Sequence, residues 1–196
     1  MKKILVFIYD QMADFEVTYA AHLLGASAGK KIITVGYEDK VVRSKCGVAY
    51  MPDQVIKNVE VDDDVEGLII PGGWNHEVRE ELISLIRALN EKHRLLAAIC
   101  AGPRFLAKAG VLDHKKFTTS LTEWKDTHRE LFKEEDPFPR ENFQMARVLT
   151  DRNIVTAQGY AFIDFAIEIC DWLSLFDTKE EKDDFAKILV DYNFNS

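Results

Sequence analysis

The sequence has few cysteines and no apolar run long enough to cross a bilayer. Its three cysteines, Cys46, Cys100 and Cys170, lie far apart and form no CxxC pair, so we expect neither a disulfide framework nor a metal site. A transmembrane helix needs about 20 consecutive apolar residues, whereas the first apolar run ends at Asp10. These absences favour a cytoplasmic protein with no membrane partner and no cofactor.

Positive charge is also scarce. The 196 residues include 25 Lys and Arg against 33 Asp and Glu, which gives a formal net charge of −8. A nucleic-acid-binding protein needs a basic stripe to hold phosphates, so the composition argues against nucleic acid as a partner. With 47% hydrophobic residues, the chain is expected to form a single domain over residues 1–196 with a sizeable core.

Strand-like and helix-like segments alternate along the chain. Continuous apolar runs predict buried strands, which are residues 4–9, 31–35, 68–70, 95–99 and 116–120. Helical spacing predicts the intervening helices, which are residues 14–28, 77–92, 103–108, 121–135, 161–176 and 180–192. A hairpin is expected within 138–157. The alternation predicts an α/β fold with a mostly parallel central sheet, helices on both faces and an added antiparallel hairpin.

Three candidate features follow predicted strands. Asp10–Glu16 follows the first strand, Pro71-Gly72-Gly73 follows the strand at 68–70, and Cys100 follows the strand at 95–99. In sheets of this kind, ligands bind at the carboxyl ends of the strands. The sequence therefore predicts a functional site at that edge of the sheet.

Cys100 lies at the junction of a buried strand and a short helix that begins with Pro103. The small residues Ala101 and Gly102 allow a tight bend there. A helix N-terminus stabilises a thiolate, and the Ala101 N–H can help to stabilise an oxyanion. The alternative is that Cys100 fills the core as an inert small hydrophobe. The junction alone leaves both interpretations open.

The glycine pair and Glu16 are weaker signals. Gly72 and Gly73 let the backbone approach a ligand, with the Gly73 N–H as a second oxyanion donor, although a simple turn explains the pair as well. Glu16 lies in the first turn of a predicted helix. Beside a thiolate its carboxyl would have to be protonated to donate a hydrogen bond. Taken alone, the pattern favours an exposed glutamate that interacts with the helix dipole.

Three stretches taken together resemble the ThiJ/PfpI family of the class I glutamine amidotransferase-like superfamily. They are "ADFE", "LIIPGGW" and "AAICAGPRFLAKAGVLDHKKFTTS", and the resemblance runs from residue 2 to about 175. It implies a flavodoxin-like three-layer sandwich that is often dimeric, so we expect a homodimer. It also implies a nucleophile-elbow cysteine, Cys100, that is hydrogen-bonded by Glu16. Gly73 and Ala101 are the implied oxyanion donors.

The sequence departs from the family at the histidine that accompanies the cysteine. Peptidase-like members place a histidine directly after the cysteine, where this chain has Ala101. Deglycase-like and glyoxalase-like members place one at the position of Ser120. The candidate replacements are His76 and His128, with His76 ranked first, although each is otherwise explained as a surface or packing residue. Trp74 is a candidate wall of an apolar pocket, or ordinary packing.

The resemblance implies three alternatives for function. In the first, Cys100 attacks a small carbonyl or amide substrate, as in glyoxalases, deglycases and hydrolases. In the second, the protein is a redox-responsive or chaperone-like module whose Cys100 is oxidised to a sulfinate. The third is a binding domain without chemistry. A cysteine hydrolase needs a group that moves protons, so the missing histidine weighs against the first alternative, while the Glu16–Cys100 pair weighs against the third.

Overall fold

The structure, a computed structural model, describes residues 1–190. Its strands are β1 (Lys3–Phe7), β2 (Lys31–Gly36), β3 (Val42–Arg43), β4 (Ala49–Tyr50), β5 (Gln54–Val55), β6 (Val65–Ile70), β7 (Leu95–Ile99), β8 (Val148–Asp151) and β9 (Ile154–Ala157). Seven of them form one sheet in the order β5-β2-β1-β6-β7-β9-β8, and β3 and β4 form a separate antiparallel pair. Within the large sheet, β8 runs antiparallel to β9 and the other neighbours are parallel.

Helices cover both faces of this sheet. They are α1 (Phe15–His22), α2 (Glu80–Glu91), α3 (Pro103–Lys108), α4 (Asp126–Phe132), α5 (Phe162–Trp172) and α6 (Lys179–Val190). The chain moves one way along the sheet from β1 to β2 and the other way from β6 to β7, so right-handed crossovers put α1 and α2 on opposite faces. The predicted fold class is confirmed. None of the helices in the described part of the chain is long and apolar enough to span a bilayer.

The central strands are buried on both faces because their sequences are continuous apolar runs. Every residue of Leu95–Ile99 has 0% exposure, and so has every residue of Leu68–Ile70. Parallel pairing of β1 with β6 and of β6 with β7 brings their carboxyl ends to one edge of the sheet. That edge is where the three features singled out in the sequence meet.

Several predicted boundaries agree with the structure. Strand β7 and helix α3 have the predicted limits, and the hairpin of β8 and β9 turns at Arg152. The first helix continues beyond α1 as a π-helical turn, Leu23–Ser27, and Gly29 follows it with a left-handed φ of 62°. The last helix was predicted to end at residue 192; its residues 191 and 192 lie outside the described part.

The predicted strand at 116–120 is wrong. Phe117 forms a single isolated bridge with Phe143 rather than a strand. The next two residues form hydrogen bonds that involve side chains instead of the backbone hydrogen bonds of a strand. The Thr118 N–H donates to Thr156 Oγ1 (2.9 Å), and the Thr119 hydroxyl donates to the Cys100 carbonyl (2.6 Å). Threonine hydroxyls compete with regular pairing in this way.

The predicted helix at 121–135 is shorter than expected. Only α4, Asp126–Phe132, is helical, and Lys133 ends it in the left-handed region with φ 57°. The residues before and after α4 are held by side chains rather than by a regular ladder. Arg140, for example, donates to the carbonyls of Leu121 (2.8 Å) and Thr122 (3.1 Å). The segment therefore forms an irregular layer beyond the carboxyl end of β7.

Candidate active site

Cys100 forms a sharp elbow between β7 and α3. Its φ is 61°, a left-handed conformation that costs a non-glycine residue roughly 1–2 kcal/mol. Backbone hydrogen bonds fix the bend: the Cys100 N–H donates to Ala157 O (2.9 Å), the Gly102 N–H to Ile99 O (2.8 Å) and the Ser120 N–H to Cys100 O (3.0 Å). Strain of this kind persists only where the surrounding structure over-determines it, and it is concentrated at functional sites.

Two glycines flank the elbow and leave room for nothing larger. A Cβ placed on Gly72 would lie 2.6 Å from Cys100 Cβ, and one on Gly159 would lie 3.0 Å from both Cys100 Sγ and Glu16 Oε1. Gly72 therefore allows its backbone to approach Cys100 closely, whereas the sequence predicted a close approach to a ligand. Gly159 was missed by the sequence analysis, although its position just after the end of β9 was an available signal.

Glu16 is buried at the floor of the site. Its side chain is 2% exposed, and Oε2 accepts a hydrogen bond from the Gly72 N–H at 2.7 Å. The carboxyl also lies beside the Cys100 thiol, close enough for each group to shift the pKa of the other. The exposed position that the local pattern favours is thus wrong, and the pairing implied by the family resemblance is present. The packing of α1 against the sheet edge, not the local sequence, decides this.

Burial sets the protonation of this pair. Desolvation raises the pKa of Glu16 to about 7, although the Gly72 N–H and Cys100 lower it. Burial and the Glu16 carboxylate raise the pKa of Cys100 to about 12, opposed by the Ser120 hydroxyl and the Ala101 N–H. These directions contradict the free thiolate expected at the helix N-terminus. Near neutral pH the pair keeps a shared proton, so a thiolate forms only when that proton moves to Glu16.

The thiol opens onto a cavity of about 290 Å³. Its lining residues are Gly73, Trp74, Cys100, Ala101, Leu121, Thr127, His128, Leu131 and Phe132. The loop at Gly73 is fixed from both sides, since the Trp74 N–H donates to Gln11 O (3.1 Å) and the Ala13 N–H donates to Gly72 O (2.8 Å). Within residues 1–190 the Gly73 N–H itself has no acceptor. This geometry is compatible with the predicted oxyanion role of Gly73 and Ala101.

The two candidate histidines are in different places. His128 lines the cavity, whereas His76 is exposed and is not among the lining residues. His128 Nδ1 accepts the Lys125 N–H at 3.1 Å and so caps α4. In a neutral ring with Nδ1 as acceptor, Nε2 carries the proton. In this tautomer His128 has no free ring-nitrogen lone pair, so it is not positioned to act as a base.

Ser120 and Trp74 both lie at the site. Ser120 Oγ accepts the Gly159 N–H at 2.9 Å, and its hydroxyl lies close enough to the Cys100 thiol to lower the pKa of that thiol. A hydroxyl in this position can orient the sulfur but is too weak a base to accept the thiol proton at neutral pH. Trp74 is 47% exposed and forms part of the cavity wall, with Lys45 Nζ 5.3 Å from its ring centroid. Residues 1–190 contain no group of three His, Cys, Asp or Glu side chains suited to a metal ion.

Two further residues were missed by the sequence analysis. The buried Tyr9 hydroxyl donates to Pro71 O (3.1 Å) and so supports the glycine turn from below. Arg104, in the first turn of α3, is 1% exposed and pairs with Glu134 at 2.5 Å. The available signal for Arg104 was its position in a short helix whose other residues are apolar apart from one lysine. An arginine buried in such a helix needs a charged partner.

The fold and the site together define the class of protein. It is a flavodoxin-like α/β sandwich with a strained cysteine elbow and a buried glutamate beside the thiol. Residues 2–171 match the sequence profile of the DJ-1/PfpI family. The match covers most of the chain, and the protein belongs to this family. The resemblance to ThiJ/PfpI proteins deduced from the sequence is thereby confirmed.

Individual relatives support the same assignment. The uncharacterized protease YdeA of Bacillus subtilis is 31% identical over 181 residues, which are 92% of this chain and 87% of that protein. Deglycase PfpI of Pyrococcus furiosus is 29% identical over 122 residues, 61% of this chain and 72% of that protein. The structure of oxidized DJ-1 from Toxoplasma gondii is similar with a TM-score of 0.76 at 24% identity, covering 97% of this chain and 98% of that one.

Proposed function

We propose that the protein is a cysteine-dependent enzyme of the glyoxalase or deglycase type, which acts on small carbonyl compounds through Cys100. The observation that carries this proposal is the buried Glu16 carboxyl beside the Cys100 thiol at the edge of a cavity of about 290 Å³. A carboxyl with a pKa of about 7 exchanges protons effectively near neutral pH. Glu16 can thus perform the proton transfer for which other members use a histidine.

The first step proposed is addition of the thiol to an aldehyde. The thiol proton moves to Glu16 while Cys100 Sγ bonds to the aldehyde carbon. The carbonyl π electrons move to oxygen, where the N–H groups of Gly73 and Ala101 stabilise the charge. This oxygen then takes the proton from Glu16. The product is a hemithioacetal that contains every atom of the thiol and the aldehyde.

A 2-oxoaldehyde allows the reaction to continue to a hydroxy acid. The ionised Glu16 removes the hydrogen on the sulfur-bearing carbon as a proton and returns it to the adjacent former ketone carbon, while the hydroxyl proton of the hemithioacetal passes to the former ketone oxygen. The result is a thioester of a 2-hydroxy acid. Attack by water breaks the carbon–sulfur bond, releases the acid and returns the proton to the Cys100 thiol, so the cycle needs no oxidant and no cofactor.

The names of the relatives include both classes of activity, and the residues at the elbow favour carbonyl chemistry over peptide hydrolysis. The Pyrococcus relative is named a deglycase, whereas the Bacillus relative is named an uncharacterized protease. Peptide cleavage needs a proton donor for the leaving amine, and Ala101 stands where peptidase-like members have histidine. We also propose that the chain forms a single domain, assembles as a homodimer and is cytoplasmic. In the cytoplasm its three free cysteines remain reduced.

The test is turnover of methylglyoxal and of glycated thiols by the pure protein. Cys100→Ala should lower the rate by at least about 1,000-fold, as expected when a nucleophile is removed. Cys46→Ala is the matched control, because Cys46 is exposed and does not line the cavity; it should keep the wild-type rate. An absence of turnover in the wild-type protein would contradict the proposal.

The second candidate function is a redox response without turnover. It is favoured by the groups around Cys100 Sγ, since Glu16, the Ser120 hydroxyl and the Ala101 N–H all lie close enough to shift its pKa and could hold the oxygens of a sulfinate. Two peroxide molecules would each transfer one oxygen to sulfur and leave as water. Mass spectrometry should then find two added oxygens on Cys100, with Cys46 and Cys170 unmodified. Equal oxidation of all three would count against this alternative.

A further inference from the structure

The cavity beside the elbow cysteine has apolar walls and no fixed charge. Trp74, Leu121, Leu131 and Phe132 are its large apolar lining residues, and two of them, Leu121 at 8% exposure and Phe132 at 4%, are buried. Among the lining residues only the cysteine and His128 can titrate. An anionic substrate would therefore lose its hydration here without meeting a cation, which is costly.

The positive charge of Arg104 is not available to this cavity. Its guanidinium lies 4.5 Å from the ring centroid of Phe132 and is 1% exposed. It donates to Glu134 at 2.5 Å, and Lys108 donates to the same carboxylate. It also donates to the Asn75 carbonyl at 3.3 Å. Arg104 thus links the loop after Trp74 to the end of α4 and holds the two walls of the cavity together.

The polar groups at the cavity are hydrogen-bond donors suited to neutral carbonyl oxygens. The Gly73 N–H has no acceptor within residues 1–190. His128 accepts through Nδ1, so its neutral ring carries the proton on Nε2. Two donors and no cation match a carbonyl compound better than a carboxylate.

The volume indicates the size of substituent that the cavity walls can cover. A cavity of about 290 Å³ corresponds to about ten water molecules at roughly 30 Å³ each. This is room for a molecule of about ten non-hydrogen atoms, the size of phenylglyoxal. A substrate as small as glyoxal would leave most of the apolar wall uncovered.

We propose that the cavity selects uncharged aldehydes with an apolar substituent about the size of a phenyl ring, and that α4 sets this preference through Leu131. The inference rests on the proposed function only for the reaction at Cys100. The preference is a property of the cavity and is measurable by any chemistry that ends at the sulfur.

The first test uses alkylation of Cys100, followed by peptide mapping. The probes are iodoacetamide, iodoacetate and N-benzyl iodoacetamide, each rate being divided by the rate with free glutathione. Covering the apolar wall with a phenyl ring should make the benzyl reagent at least about tenfold faster than iodoacetamide, and iodoacetate should be the slowest. Cys46 is exposed and serves as an internal reference that should show no benzyl preference.

Variants at α4 then locate the preference. Leu131→Lys should remove most of the benzyl advantage and accelerate iodoacetate by about fivefold, since it places a cation at the cavity. Thr127→Lys is the second variant, because Thr127 lines the cavity but is exposed and the protein should fold normally. Ile188→Lys on α6, at 63% exposure, is the matched control that adds the same charge elsewhere.

Turnover separates this inference from the proposed function. The wild-type protein should show a higher kcat/KM for phenylglyoxal than for methylglyoxal, and Leu131→Lys should lower that ratio by about tenfold. Turnover without any preference, unchanged in Leu131→Lys, would overturn the inference and leave the proposed function intact. A benzyl preference in alkylation without turnover of any aldehyde would uphold the inference and overturn the enzyme. Equal alkylation by all three probes would also overturn the inference.

Discussion

The floor and the roof of the site are built in different ways. The floor consists of the strand ends that carry Gly72, Cys100 and Gly159, together with Glu16. It is fixed by backbone hydrogen bonds and by contacts so close that a methyl group on Gly72 would lie 2.6 Å from Cys100 Cβ. Such packing leaves the reacting groups no alternative arrangement.

The roof consists of residues 121–143 and is held mainly by side chains. Arg104 pairs with Glu134, and Arg140 bridges Asp136 and the carbonyl of Leu121. Loops of this kind vary among relatives while the scaffold is kept. From this difference we infer that the floor determines the reaction and that the roof determines which substrate reaches Cys100. Changes in the floor should therefore affect stability and chemistry together, and changes in the roof should mainly affect binding.

The largest effect is expected from Gly72→Ala in the floor. Its new methyl would lie 2.6 Å from Cys100 Cβ and 2.8 Å from Ala101 N, and backbone atoms cannot move aside cheaply. We expect a loss of about 3 kcal/mol in the free energy of unfolding, measured by urea titration. The control is Gly29→Ala, where φ is 62° but nothing lies within 4 Å; strain alone should cost about 1 kcal/mol. Equal losses in both variants would contradict the proposed tightness of the floor.

The second effect is the pH dependence of stability that Glu16 confers. Burial raises its pKa from 4.5 to about 7, so the folded state binds the proton more tightly than the unfolded state. The stability from this group is fully present below about pH 4.5 and is lost as the pH rises through about 7, which amounts to about 3 kcal/mol. Glu16→Gln cannot ionise and should lack this loss.

Unfolding titrations between pH 4.5 and 8 measure the effect. The exposed Glu141 supplies a matched control, since Glu141→Gln removes the same charge and should keep the wild-type slope. If Glu16→Gln kept that slope as well, the carboxyl in the floor would not be the titrating group, and its proposed role in proton transfer would lose its basis.

Sequence reasoning succeeded where local pattern and tertiary structure agree. The apolar run of β7 and the Ala-Gly-Pro turn after Cys100 predict the elbow, because nothing elsewhere in the chain competes with that local preference. Glu16 required the family resemblance, since its local pattern equally suits an exposed first-turn glutamate. Only the packing of α1 against the sheet edge brings its carboxyl to the Gly72 N–H.

The roof and the segment just before it resisted prediction because long-range side-chain contacts define them. Thr118 and Thr119 have the composition of a strand, yet the Thr118 N–H donates to the Thr156 side chain and the two hydroxyls donate to the carbonyls of Ala146 and Cys100, so no regular strand pairing forms. Partners so distant in sequence leave no periodic signal. The preference for His76 over His128 failed to anticipate the cavity for the same reason, since α4 reaches it only through the fold.

The smallest of the three effects is expected from Arg104→Met in the roof. The change removes the donors to Glu134 and Asn75, but Lys108 still pairs with Glu134, so we expect a loss of only about 2 kcal/mol in unfolding free energy. With α4 loosened, KM should rise about tenfold while kcat stays within about twofold, because the Glu16–Cys100 pair is untouched.

Two further measurements show whether Arg104 acts by positioning the roof. The pH profile of kcat/KM should keep its wild-type shape in Arg104→Met, and Arg104→Lys should recover part of the KM through its remaining charge. Arg87→Met removes a side chain that is 52% exposed, pairs with Glu80 at 3.6 Å and donates to the Ala109 carbonyl at 3.1 Å, so it should cost about 1 kcal/mol at most and keep the wild-type KM. A fall in kcat at constant KM would instead tie Arg104 to the chemistry, and the division between floor and roof would then be wrong.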